Sequence, residues 1–316
     1  MRNWLAASAL LALPAIAVAA DAPPEWAYPA FPPGFQAPPP TDEAKHVAGS
    51  TKSFTEKDVG NAFGPPDWFP NEHAALPDIV AHGKRPDVSA CALCHLTSGH
   101  GHPESANLAG LPAAYIEEQL HEFKSGNRSS QLAGRSVNMI RFATNMTDEE
   151  MKQAAQYFSS IKQTTWNKIV EAREVPKSYV GEGNMRFAAE GGAKEPIGKR
   201  IIELPQDEEG AKLRDPHSPF MAYVPMGSIK AGETLAATGG NGKTIQCSFC
   251  HGPDYKGIGN VPGIAGRSPI YIFRQLSDIQ KGTRRGNAVA LMRPVVAKLS
   301  QDDMIALASF MASRTP

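Results

Sequence analysis

The chain has 316 residues, and its 32 basic and 32 acidic side chains leave no formal net charge. This balance gives no reason to expect a nucleic-acid partner, and the length is enough for two domains. The four cysteines lie in two copies of a Cys-x-x-Cys-His pattern, which leaves none for a disulfide.

Residues 1–20 have the features of a secretory signal peptide. Arg2 supplies a basic start, an apolar run follows, and small residues precede a cleavage point after Ala20. We therefore predict an exported, periplasmic protein. An uncleaved anchor is the alternative, because the start is weakly charged. No later stretch has the length of a membrane span, so only peripheral association with a membrane stays open.

Residues 21–70 are predicted to form a proline-rich N-terminal extension. Eight prolines fall within residues 21–40, interleaved with aromatic side chains. Proline fixes φ and favours polyproline II, so this part should be an extended, fairly stiff arm. The arm can serve as a tether, lie along the protein surface or dock on a partner, and we favour the tether.

A first compact domain is predicted at residues 71–162. An apolar helical stripe at residues 76–80 leads into the first cysteine pattern, and a middle helix is expected around residues 115–123. A last helix should begin at Thr147, with Glu150 completing a capping box.

Residues 163–225 interrupt this helical periodicity. They are rich in Gly, Pro and Glu, and only residues 201–204 and 221–224 read as strands. Such a stretch is too long for a plain connection. We expect a long linker that packs across two domains and contains a little β-structure.

The cysteine patterns are CALCH at residues 91–95 and CSFCH at residues 247–251. On a helix, the two thiols and the imidazole lie at i, i+3 and i+4 and share one face. Thiols so placed form thioethers with a haem while the imidazole binds its iron, and C-x-x-C-H is the attachment signature. A zinc-binding pair does not explain the histidine after each pair, and a thioredoxin-like pair does not explain two copies. We predict two covalently bound haems c, held by Cys91, Cys94 and His95 and by Cys247, Cys250 and His251.

The second domain, predicted at residues 226–316, repeats the first. Matched residues recur 156 positions later through the middle helix and 153 positions later beyond it. The pairs include Tyr115 with Tyr271, Gln119 with Gln275, Arg128 with Arg284 and Met139 with Met292. Met139 and Met292 fall in predicted loops before a capped helix, where a thioether can be aimed at a metal. We predict that they are the sixth ligands of the two irons, whereas Met151 and Met304 fill the core.

The order of helix, CxxCH, loop, middle helix, methionine and last helix resembles class I cytochrome c. The paired stretches NLAGLPAAYIEEQLHEFKSGNR and GIAGRSPIYIFRQLSDIQKGTR resemble two-haem periplasmic carriers of the cytochrome c-four type. The resemblance implies a mainly α fold, with two tandem class I cytochrome c domains joined by the long linker. It also implies that a proline carbonyl accepts the Nδ1–H of the proximal histidine. Pro262 matches this role for His251, whereas Ala106 stands at the equivalent place for His95.

Two His/Met-ligated irons leave no position for a substrate, so we predict an electron-transfer protein and not an enzyme. Its partners would be a redox donor and a redox acceptor, whose identities stay open, as does the oligomeric state. A dedicated electron-accepting subunit of a periplasmic dehydrogenase is an equal alternative. A haem enzyme, either a two-haem peroxidase or a thiosulfate-oxidising cytochrome, is less favoured. Thiosulfate-oxidising cytochromes use a cysteine as a distal ligand, and this chain has no spare cysteine.

Two further expectations concern the surface. His100 and His102 should lie in a flexible polar loop. Residues 21–165 hold 11 basic and 17 acidic side chains, whereas residues 225–316 hold 11 and 5. A basic second domain would approach an acidic partner. The basic residues predicted for that contact are Lys256, Arg267, Arg274, Lys281, Arg284 and Arg285.

Overall fold

The computed structural model describes residues 22–316, so the predicted signal peptide lies outside the described part. The chain first forms two short antiparallel strands, β1 (Ala44–Lys45) and β2 (Phe54–Thr55), followed by helix α1 (Glu56–Val59). Thr55 and Asp58 form a capping box at the start of α1. Trp68 and Phe69 then bury their rings against Leu213, which comes from the middle of the chain.

The first helical half encloses one buried cluster that includes Val80, Ile116, Met151 and Phe158. The Thr147 hydroxyl caps the last helix by accepting from the Glu150 N–H, and the Glu150 carboxylate accepts from the Thr147 N–H, which confirms the predicted capping box. The helices are α2 (Asp78–Ala81), α3 (Ala92–His95), α4 (Ala113–Lys124), α5 (Val137–Asn145) and α6 (Asp148–Ser160).

The middle of the chain contains more β-structure than the sequence predicts. Strands β3, β9 and β8 form one sheet in that order, with β3 parallel to β9 and β8 antiparallel to it. Two small antiparallel strand pairs, β4 with β7 and β5 with β6, come between β3 and β8 in the sequence. The elements are β3 (Asn167–Ala172), β4 (Glu174–Pro176), β5 (Ser178–Val180), β6 (Arg186–Ala188), β7 (Lys194–Pro196), β8 (Ile202–Pro205), α7 (Glu208–Lys212) and β9 (Phe220–Pro225).

The second helical half repeats the order of the first. Its first and last helices cross so closely that Gly232 faces the carbonyl group of Ala306, with no room for a side chain. Ser300 and Asp303 form the predicted capping box of the last helix. The helices are α8 (Ser228–Thr238), α9 (Ser248–His251), α10 (Pro269–Gln280), α11 (Arg293–Val296) and α12 (Gln301–Ser313), with a 3₁₀ turn at Ala288–Met292.

The proline-rich arm is docked on the second half, so the expectation of a tether is wrong for this part of the arm. The Trp26 ring lies 4.6 Å from that of Phe273, and the Tyr28 hydroxyl donates to Asp278 at 2.8 Å. Burial of Trp26 and Tyr28 against the core stabilises the docked position of the arm.

Within residues 22–316, every helix falls short of the length and hydrophobicity that a membrane crossing requires.

Candidate haem sites

The first cysteine pattern lies on the short helix α3. Cys91 is its N-cap residue, and Cys94 and His95 lie in its single turn. The buried imidazole of His95 holds its Nδ1 atom 2.8 Å from the carbonyl oxygen of Ala106. Because a carbonyl only accepts, Nδ1 carries the proton, and the lone pair of Nε2 is left for a metal.

The second pattern has the same geometry on helix α9. His251 Nδ1 lies 2.8 Å from the carbonyl oxygen of Pro262, and burial lowers the pKa of both His95 and His251. Both rings are therefore neutral at neutral pH. The bond has the same length with Ala106 as with Pro262, since the acceptor is a backbone atom in both cases.

No disulfide joins the four cysteines, and burial disfavours the thiolate form of two of them. It raises the pKa of Cys91 to about 12 and that of Cys247 to about 11. Burial is the main cause of both shifts, because an apolar environment disfavours the charged thiolate. Between residues 22 and 316, no three His, Cys, Asp or Glu side chains cluster as a metal site would require.

The structure corrects the predicted surroundings of the two methionines. Met139 lies in helix α5, not in a loop, and Met292 ends the 3₁₀ turn that precedes α11. Both side chains are half-buried against the core of their own half. Met151 and Met304 are fully buried within those cores. Iron ligation by Met139 and Met292 stays a prediction.

The loop that carries His100 and His102 is packed, so the expectation of a flexible polar stretch is wrong. His100 stacks on Trp166 at 4.9 Å between ring centres, and its Nε2 lies 2.9 Å from the Thr164 hydroxyl. Burial lowers the pKa of His100 to about 4 and that of His102 to about 3. Residues from the middle of the chain therefore cover this loop.

The chain is similar to several known proteins. A family model for cytochrome c matches residues 80–162. Cytochrome c-554(548) of Halomonas halodenitrificans is 32% identical to the chain over 79 residues, which are 25% of the chain and 95% of that protein. The chain belongs to the cytochrome c family.

The chain is also similar to two longer proteins. The thiosulfate dehydrogenase electron acceptor of Thiomonas intermedia is 26% identical over 72% of the chain and 80% of its own length. Cytochrome c4 of Pseudomonas aeruginosa is 24% identical over 75% of the chain and 89% of its own length.

The residues of this cytochrome fit a covalently attached haem in each half. Each motif brings together two thiols and an imidazole whose Nε2 is left for a metal. In addition, the buried Nε of Arg284 finds no hydrogen-bond partner among the described residues, which suits the carboxylates of a haem. The protein therefore has two cytochrome c domains and binds two haems c, as predicted.

The two halves of the cytochrome meet at an interface where matched side chains form reciprocal hydrogen bonds, called the exchange between the halves here. Each half contributes an arginine that donates to a glutamine of its own half and to a tyrosine of the other half. All four bonds measure 2.8 or 2.9 Å. The six residues are Tyr115, Gln119 and Arg128 with their mates Tyr271, Gln275 and Arg284. These positions recur in the sequence repeat, but a repeat alone does not show that matched residues meet at an interface.

Three of the basic residues predicted for partner contact are buried inside the cytochrome, and the prediction is wrong for them. Arg267 donates to the Asn107 carbonyl oxygen at 2.8 Å, and Arg274 donates to that of Ala27 at 2.9 Å. Arg284 belongs to the exchange between the halves. Lys256, Lys281 and Arg285 remain exposed.

Proposed function

We propose that this protein is a periplasmic dihaem cytochrome that carries single electrons between redox proteins. The observation that carries the proposal is the repeated histidine geometry, in which each Nδ1 lies 2.8 Å from a backbone carbonyl oxygen. A hydrogen bond of this kind fixes the ring and raises the basicity of its other nitrogen. A ligand held in this way changes little when the metal gains or loses an electron.

The chain's own residues hold and shield the two cofactors. Cys91 and Cys94 in one half, and Cys247 and Cys250 in the other, anchor them through thioethers. The haem supplies an iron that accepts and releases one electron. We propose that Met139 and Met292 complete the ligation, and their half-buried positions beside the cores support this.

The exchange between the halves would keep the two sites in a fixed relation. Because both arginines are buried and bonded to both halves, the interface is not a loose hinge. We place the domains at residues 71–162 and 226–316, with residues 163–225 as the linker between them. An electron could then pass between the halves without a domain movement.

The same residues favour transfer over catalysis. A peroxidase needs an iron that one ligand can vacate, and the matched methionines provide a ligand in each half. A thiosulfate-oxidising haem with a cysteine ligand would need a thiol outside the two attachment motifs, and the sequence has none.

A dedicated electron acceptor of one dehydrogenase is the second candidate. The relative from Thiomonas intermedia carries the name thiosulfate dehydrogenase electron acceptor, and it aligns over most of both chains. The chemistry at the two sites would be the same, and only the permanence of the partner would differ.

A redox titration followed by visible spectroscopy tests the proposed function. The loaded protein should take up two electrons in two reversible one-electron steps, and peroxide should oxidise the reduced form slowly. If peroxide is turned over rapidly at one haem while the other supplies electrons, the protein is a peroxidase and the proposal is wrong.

A further inference from the structure

A single buried arginine contacts the loops that hold both haem-binding histidines. The Nε atom of Arg267 donates to the carbonyl oxygen of Gly263 at 2.7 Å, and one of its terminal nitrogens donates to that of Asn107 at 2.8 Å. Asn107 and Gly263 directly follow Ala106 and Pro262, whose carbonyl groups accept from the two histidines. Arg267 therefore binds the residue next to each histidine acceptor.

The two contacts are equivalent in the sequence repeat. Asn107 and Gly263 lie 156 positions apart, which is the offset that relates the two halves in this region. Arg267 itself matches Leu111, an apolar residue in the buried cluster of the first half. One arginine, contributed by the second half alone, thus serves both loops in nearly the same way.

Each loop is packed closely around its histidine acceptor. A Cβ atom on Gly101 would lie 2.9 Å from the carbonyl oxygen of Ala106, and one on Gly257 would lie 3.1 Å from the carbonyl carbon of Pro262. Gly101 and Gly257 are themselves a matched pair. Because the loops have so little room, a shift at the residues that Arg267 holds would be transmitted to both acceptors.

Arg267 keeps its positive charge inside the protein. It is 4% exposed, and burial lowers its pKa to about 10, which is still well above neutral pH. Its remaining bonds run to the side-chain oxygen of Asn107 and to the carbonyl oxygen of Ala109, both at 3.2 Å. All four of its hydrogen bonds to the described residues therefore go to uncharged oxygens.

We infer that Arg267 is a tuning residue shared by the two haem sites, whose buried charge raises both reduction potentials together. The inference rests on the electron-transfer function proposed above. Loss of an electron at either haem adds one positive charge, and the guanidinium repels this charge through an interior of low dielectric constant. The reduced state is therefore favoured at both sites. Arg267 is a positioning residue, since it also holds the loops that orient both histidine rings.

The test replaces Arg267 in three ways in the full-length, haem-loaded protein. Arg267→Met removes the charge and the hydrogen bonds, Arg267→Gln removes the charge but keeps an amide donor, and Arg267→Lys keeps the charge. Spectroelectrochemical titration gives both reduction potentials of each variant. In the first two variants the equilibrium constant for reduction of each haem should fall about tenfold, which is about 59 mV for a one-electron couple. Arg267→Lys should keep both constants within about threefold of the wild type, because the ammonium carries the same charge.

Arg285→Met is the matched control. It removes an arginine charge from the same half, but at an exposed position where water screens the charge. Both equilibrium constants should therefore stay within about twofold of the wild type.

Three results would overturn the inference. If Arg267→Met and Arg267→Gln leave both constants within about twofold of the wild type, Arg267 is only a structural link between the halves. If the constant falls at one haem alone, the charge is not shared. If Arg267→Lys lowers the constants as much as Arg267→Met does, the cause is geometry and not charge.

These outcomes are separate from the test of the proposed function. Two reversible one-electron steps in the wild type support electron transfer wherever the two potentials lie. Arg267→Gln decides the inference alone if Arg267→Met fails to fold around both haems.

Discussion

At the scale of single residues, the two methionines proposed as iron ligands differ in burial from the two that fill the cores. Met139 and Met292 are half-buried beside the cores, whereas Met151 and Met304 are fully buried within them. A thioether that binds iron has to face the cofactor, so the half-buried pair suits ligation better.

Met292→Ala should remove half of the weak near-infrared sulfur-to-iron band of the oxidised protein, because one of the two methionine sulfurs proposed to bind iron is lost. It should also open one iron to cyanide. Met304→Ala is the matched control, since it removes a buried methionine from the same half. It should keep the full band while lowering the free energy of unfolding by about 2–5 kcal/mol. If Met292→Ala retains the whole band, the ligand assignment is wrong.

Local sequence signals predicted most of what is local in the sites. The CxxCH helices, the capping boxes and the core methionines follow from spacing over a few residues, and the structure has all of them. The burial of Arg267, Arg274 and Arg284 was missed because their partners lie elsewhere in the chain. A basic residue in a polar sequence gives no sign of such a partner.

At the scale of elements, the short strands were missed for a related reason. Strands β4 and β7 contain proline and charged residues, and three residues are too few for an alternating pattern. The longer strands β8 and β9 were predicted because apolar runs mark them. Strand β8 also places the buried carboxylate of Glu203 at the start of helix α10. Glu203 accepts hydrogen bonds from the Ser268 hydroxyl and the Ile270 N–H, both at 2.8 Å.

This contact predicts a pH-dependent stability. Burial raises the pKa of Glu203 to about 7 from an ordinary value of 4.5. Between these values the folded protein holds a proton that the unfolded chain has released, so the free energy of unfolding falls as the pH rises. The loss is complete above about pH 7 and amounts to at most about 3 kcal/mol.

Glu203→Gln keeps an acceptor oxygen but cannot ionise. The variant is compared with the wild type by urea unfolding followed by tryptophan fluorescence. The free energy of unfolding of the variant should fall less between pH 5 and 7, and at pH 8 it should be higher than that of the wild type. Glu190→Gln, at an exposed position, is the control and should follow the wild type. Identical pH profiles for Glu203→Gln and the wild type would show that Glu203 does not titrate in this range.

At the scale of the whole molecule, segments outside the two helical halves join them. The Tyr28 hydroxyl of the arm donates to Asp278 at 2.8 Å and accepts from Gln131 of the first half at 3.0 Å. Trp26 packs on Phe273 beside it. Arg267 crosses in the other direction, from the second half to the Asn107 carbonyl group of the first. Such contacts favour unfolding of the two halves as one unit.

The arm therefore has a measurable role in stability. Trp26→Ala should lower the free energy of unfolding by about 3–5 kcal/mol, because it removes a large buried ring that the remaining core cannot replace. It should also loosen the arm. The unfolding transition followed by haem absorbance should then no longer coincide with the one followed by far-ultraviolet circular dichroism. Phe31→Ala changes the same arm at a side chain that is 43% exposed and stacked on Phe35, and should cost less than about 0.5 kcal/mol. If Trp26→Ala is as mild as Phe31→Ala and both probes still coincide, the arm does not join the halves.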